Sequence, residues 1–194
     1  MPNKDGTEIR SMPVMKPEED GHVRGYATTF EQPYVLFEED GVKFYEVISR
    51  HALDGADMSD VVMLHNHTGM LFARTRNGSL KLSIDDHGLA IDADMTLTPH
   101  AQEHRQAIAV GLVDRMSWRF RVKKDSYDRA TRTRRIEEIE YIKDVSTVDF
   151  PANNESFISA RDYFSAQLEE ERQEILKQDA IERKKQKIKI LLEV

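Results

Sequence analysis

Cysteine is absent from the 194-residue chain. Disulfides, thiolate-ligated metals and a cysteine nucleophile are therefore excluded, and nothing points to an oxidising compartment. Long apolar runs are missing as well. No stretch approaches the roughly 20 residues that a membrane span needs, and Met1-Pro2-Asn3-Lys4-Asp5-Gly6 lacks the apolar centre of a signal peptide. The expectation is a soluble, intracellular protein with no membrane partner. Positive charge is in deficit: 28 Lys and Arg stand against 35 Asp and Glu, a net charge of −7. Phosphate contacts want clustered cations, so no specific nucleic acid is expected as a partner. What is present, 22.4 kDa of mixed sequence, suffices for one domain plus an appendage, with a core that needs no staples.

Residues 1–21 are polar, contain Pro2, Pro13 and Pro17, and end in Glu18-Glu19-Asp20-Gly21. Without a sustained apolar period they read as a flexible N-terminal arm. From His22 onward, β-branched and aromatic residues predict strands at Val23–Phe30 and Val42–Ile48. The apolar run Val61-Val62-Met63-Leu64 then leads into His65-Asn66-His67, which puts histidines where a buried strand ends. Leu71–Thr75, Leu80–Ile84 and Leu89–Met95 alternate strictly and are separated by Arg76-Asn77-Gly78 and Asp85-Asp86-His87-Gly88, the pattern of successive hairpins in a meander. Thr98 as N-cap and Pro99 in the first turn open a helix to about Val110, stopped by Gly111. Lys123–Arg135 reads as the solvated tip of a hairpin, after which Ile136–Ile142 resumes apolar residues. From Ser159, Tyr163, Leu168, Ile175, Ile181, Ile188 and Leu191 are spaced through a charged tract, which predicts a long amphipathic C-terminal helix suited to a partner. The expected organisation is an arm (1–21), a main domain (22–160) and a charged helix (161–194).

Two constellations compete for chemistry. His100-Ala101-Gln102-Glu103-His104 places two histidines four apart on a helix with a glutamate between them, the spacing of an inverted zinc-hydrolase signature. The other is centred on Asp114-Arg115-Met116-Ser117-Trp118-Arg119-Phe120-Arg121-Val122. In an extended chain Trp118, Phe120 and Val122 share one face and Ser117, Arg119 and Arg121 the other. The aromatic face can anchor in a core while the opposite face holds a hydroxyl still, as a nucleophile requires. Hydroxyl attack near neutral pH also needs a base and a group that orients it, and His67 and Asp144 occupy suitable settings. An ordinary serine on a half-buried strand fits the same run.

Four segments carry a family resemblance: Leu64-His65-Asn66-His67, Ala73-Arg74-Thr75-Arg76-Asn77-Gly78-Ser79-Leu80, Met116-Ser117-Trp118-Arg119-Phe120, and Asp144-Val145-Ser146-Thr147-Val148-Asp149-Phe150-Pro151-Ala152-Asn153. In that order the chain resembles the prohead proteases of tailed bacteriophages, over roughly residues 22–161. Thr68 stands where that family has aspartate, Ala73 where it has glycine, Trp118-Arg119 where it has Phe-Gly, and Asp144 where it has glutamate. The resemblance implies an α+β fold like that of herpesvirus assembly proteases, a closed, mostly antiparallel β-barrel surrounded by helices, here followed by the C-terminal helix. It implies Ser117 as nucleophile, His67 rather than His65 as base, and Asp144 as the orienting carboxylate, without metal or organic cofactor. Backbone N–H groups near Ala152 and Asn153 are the expected oxyanion hole. The implied function is endopeptidase action inside the immature capsid in the host cytoplasm. The implied substrates are scaffold or the scaffolding segment of the major capsid protein, with self-cleavage and homo-oligomerisation. A non-enzymatic capsid scaffold and a zinc hydrolase using His100 and His104 remain the alternative readings.

Overall fold

The computed structural model describes residues 6–13, 15–39, 41–149 and 155–192. The chain order is β1 (Glu8–Pro13), β2 (Met15–Pro17), β3 (His22–Thr29), β4 (Tyr34–Glu39), β5 (Val42–Ile48), β6 (Val62–His65), β7 (Thr68–Arg74), β8 (Leu80–Ile84) and β9 (Gly88–Asp94). Then follow α1 (Pro99–Ala109), β10 (Arg115–Asp128), β11 (Thr133–Val148) and α2 (Glu155–Leu192). One sheet of seven strands runs β1-β10-β11-β5-β4, with β6 against the far end of β11 and β7 against β6; a second sheet of four runs β2-β3-β9-β8. Neither sheet closes, so the expected barrel is corrected to a mixed α+β fold with two open sheets. Local alternation predicts strands and near neighbours, whereas closure depends on pairing between distant strands that no local pattern encodes.

The pairing is mostly antiparallel, but β11 runs parallel to β5 in its first half and to β6 in its second. The core lies between the sheets: Val23 and Leu89 from the four-stranded sheet meet Met63, Met116, Trp118, Phe120, Ile136 and Val145 from the larger one. Trp118 and Phe120 are fully buried and stack with ring centroids 4.0 Å apart. The alternation read at this strand therefore holds, and it turns Ser117 toward the opposite face.

Several elements depart from expectation. Glu8–Pro13, within the segment expected as a flexible arm, is β1, paired along its length with β10. It buries Ile9 on one face and charge on the other. Arg10 is buried against fully buried Glu46, with Nε–Oε1 at 2.5 Å and Nη2–Oε2 at 2.7 Å, and Glu8 binds both Arg10 and Arg134. Burial works to raise the Glu8 carboxyl, but the charges of Arg10 and Arg134 and the hydrogen bonds they donate outweigh it and hold it down at about 2. The basic stretch is the largely exposed end of a hairpin, as expected, with Arg134 as its one buried charge among the described residues. It continues the β10–β11 hairpin, where Lys123 meets Glu138, Lys124 meets Glu137, and Arg134 is buried against Glu8 and Asp125. The first turn of the meander also fails to make a hairpin: β7 pairs with β6 while β8 joins the other sheet. Ser79 redirects the chain there, its hydroxyl accepting from Arg74 N–H at 2.9 Å and donating to Asn77 Oδ1 at 2.6 Å.

The helix predicted from Thr98 and Pro99 is α1, and Thr98 Oγ1 accepts from Ala101 N–H. α2 begins at Glu155 and passes through the expected boundary at residue 161. The expected amphipathic helix is corrected too: over the 22 residues 164–185 of α2 nearly every described side chain is exposed. Among its described side chains no apolar stripe runs along it. Phe164 anchors it among Phe37, Phe44 and Tyr127, but Ile175, Leu176 and Ile181 are all more than half exposed. At about 100° per residue these three point to different sides of the helix.

Candidate active site

Two strand pairings and one tight turn assemble the site. β10 and β11 pair antiparallel with Ser117 opposite Ser146 and Arg119 opposite Asp144, so all four side chains rise from one face. β6 lies parallel to β11 with Val62 beside Asp144 and Leu64 beside Ser146, and its end delivers the turn Asn66-His67 over that face. Both turn residues have positive φ, 50° and 59°, and His65 pairs with Thr68 across them, as in a two-residue type I′ hairpin.

Left-handed backbone costs a non-glycine residue of order 1–3 kcal/mol and persists only where the surroundings over-determine it. Here they do. Asn66 N–H donates to the Thr147 carbonyl at 2.8 Å, Asn66 Nδ2 donates to Asp149 Oδ2 at 2.9 Å, and Asn66 Oδ1 accepts from Asp149 N–H at 3.2 Å. The turn is thus tied to the end of β11, the strand that carries Asp144.

The three residues singled out in the sequence meet in a line. His67 Nδ1 is 2.5 Å from Asp144 Oδ1, and His67 Nε2 is 2.8 Å from Ser117 Oγ. With Nδ1–H donating to the carboxylate, Nε2 faces the hydroxyl as an acceptor, the tautomer a general base requires. Ser117 is fully buried, and the His67 and Asp144 side chains are 8% and 2% exposed. Ser117 Oγ also lies 2.9 Å from the Arg10 carbonyl; the single hydroxyl proton is given either to that carbonyl or to Nε2.

Asp144 has further support that sequence reasoning did not find. Ser146 Oγ donates to Oδ1 at 2.7 Å, and Arg119 Nε lies 3.4 Å from Oδ2. The alternation Asp144-Val145-Ser146 places the serine on the carboxylate's face and was legible as such; the cross-strand position of Arg119 was not. Ala152 and Asn153, expected to supply the oxyanion hole, lie outside the described residues.

The zinc-like histidines do not converge. His100 Nε2 is 2.7 Å from the Leu71 carbonyl, while His104 Nε2 is 2.7 Å from Thr147 Oγ1. Among the described residues no group of three or more His, Asp or Glu is placed to hold a metal ion. His104 stacks on Phe72 and sits beside His65, ring centroids 4.8 Å apart. Burial, reinforced by the charge His65 would carry, pushes His104 down to about 4, against the pull of Asp149. His65 itself contacts Thr147 and Asp149 and does not face Ser117.

A buried serine and a carboxylate bridged by one imidazole, on a two-sheet α+β scaffold, make the arrangement of a serine hydrolase. The chain belongs to the caudovirus prohead serine protease family, whose model matches residues 10–174. No curated protein and no solved structure matches it. The family is one of serine proteases of the phage procapsid, with capsid proteins as substrates. Among the described residues no helix is long and apolar enough to cross a membrane.

Proposed function

We propose that this protein is a capsid-maturation endopeptidase that cleaves scaffold, or the scaffolding segment of the major capsid protein, inside the procapsid, and that it also cleaves itself. The observation that carries the reading is the unbroken line Asp144 Oδ1, His67 Nδ1, His67 Nε2, Ser117 Oγ, with contacts of 2.5 and 2.8 Å. Ser117 Oγ attacks the scissile carbonyl carbon as its proton passes to His67 Nε2. Asp144 holds the resulting imidazolium, which then protonates the leaving amine. Water, activated by His67, hydrolyses the acyl-serine and restores the hydroxyl.

Because Ser117 is fully buried, a peptide reaches it only after the face above opens locally. Self-association is part of the proposal, and the exposed helix α2 is the element we assign to partner contact. The test is incubation of the wild-type protein, and of Ser117→Ala, with the major capsid protein precursor of the same phage, followed by intact mass. Wild type shortens the precursor at a defined bond and Ser117→Ala leaves it whole. Cleavage by Ser117→Ala at the wild-type rate, or no cleavage by wild type, rules the reading out.

A further inference from the structure

Arg119 has no role in the three-residue relay, yet it shares the relay's face. It sits two residues beyond Ser117 on β10 and directly across from Asp144 on β11. Its side chain is 17% exposed, and its ion partner among the described residues is Asp144, with Nε 3.4 Å from Oδ2. Nε is buried and makes no hydrogen bond among the described residues, so the contact acts as charge on charge. The two carboxylate oxygens are thereby divided: Oδ1 serves His67 and Ser146, and Oδ2 faces the guanidinium.

We propose that Arg119 is a positioning residue of the relay, a fixed positive charge beside Oδ2 that keeps Asp144 turned with Oδ1 to His67 and offsets part of the carboxylate's field at the imidazole. The inference rests on the reading of Ser117, His67 and Asp144 as the catalytic relay. The attraction of an unopposed buried carboxylate would keep the imidazole protonated to higher pH, where it is no base. A cation on the far oxygen offsets part of that attraction, and arginine keeps its charge at every working pH. The other charges near the relay are committed elsewhere. On β10, Arg121 pairs with Glu140 of β11 at 3.2 Å; at the β6–β7 turn, Asp149 faces His65 and Asn66; and from β1 the contact to Ser117 is the Arg10 backbone carbonyl.

The experiment measures the rate at which di-isopropyl fluorophosphate labels the full-length protein as a function of pH, for wild type, Arg119→Lys, Arg119→Gln, Arg119→Met and Ser117→Ala. This probe needs the nucleophile and its base but no peptide specificity. In the two neutral variants the acid limb of the profile moves up by about one pH unit, the low end expected for a lost charge neighbour, while Arg119→Lys keeps the wild-type limb. Met retains the packing of the arginine stem, so agreement between Gln and Met separates charge from fit. A merely structural role lowers the rate at all pH values and leaves the limb in place; that result overturns the proposal. Unchanged labelling of Ser117→Ala instead removes the relay reading itself, and the two failures are distinguishable.

Discussion

Replacing Glu46 with alanine removes a fully buried carboxylate that accepts from Arg10 Nε and Nη2 and from Tyr34 Oη, and that lies 3.4 Å from Arg134 Nη1. Removing one partner of a buried ion pair costs about 3–5 kcal/mol, because the charge left behind is uncompensated. Glu8 still binds both arginines, which places the expectation at the low end, about 3 kcal/mol. At about 2–4 °C per kcal/mol for a chain of this size, Tm falls by roughly 6–12 °C. Thermal unfolding followed by circular dichroism at neutral pH measures this directly. Because the cluster is buried, the loss persists in about 1 M salt, where exposed pairs are screened. A loss below about 2 °C, or one that disappears in high salt, refutes the reasoning, because the cluster would then be weakly coupled or wet.

Asp144→Asn keeps the shape of the orienting group but cannot hold an imidazolium, and it lowers kcat/KM on the capsid precursor by about 10⁴ without unfolding the chain, the size of the effect in a serine-protease relay. Glu8 is held at about 2 against an ordinary 4.5. A depressed carboxylate contributes stability that is fully present above 4.5 and is lost as pH falls toward 2; urea midpoints therefore drop across that window in wild type and less steeply in Glu8→Gln. His104 is held at about 4 against 6.5, so the fold favours its neutral form and stability falls as pH drops from 6.5 toward 4. His104→Gln flattens that segment of the same titration.

Legibility in the sequence followed locality. Trp118 and Phe120 announced a buried strand through period-two alternation, and Thr98-Pro99 announced a helix start through chemistry contained in three residues. Both are in the structure. β1 was missed because one of its two covered faces carries Glu8 and Arg10; hydrophobic patterning cannot recognise a charged residue whose partners, Glu46 and Arg134, lie far away in the chain. Asn77-Gly78 looked like a hairpin turn, but Gly78, with φ at 77°, ends a short 3-10 turn that passes the chain from one sheet to the other. His67, Ser117 and Asp144 were named through motif resemblance, which carries long-range pairing implicitly. Arg119 gained its place beside Asp144 only when the register of β10 and β11 was known.

The most direct measurement is the position and the histidine dependence of covalent labelling by di-isopropyl fluorophosphate at slightly alkaline pH, read by intact mass and peptide mapping. The account predicts one phosphoryl adduct, on Ser117, with labelling reduced by several orders of magnitude in His67→Ala and largely retained in His65→Ala. An adduct on another residue, or full labelling in His67→Ala with loss in His65→Ala, contradicts it.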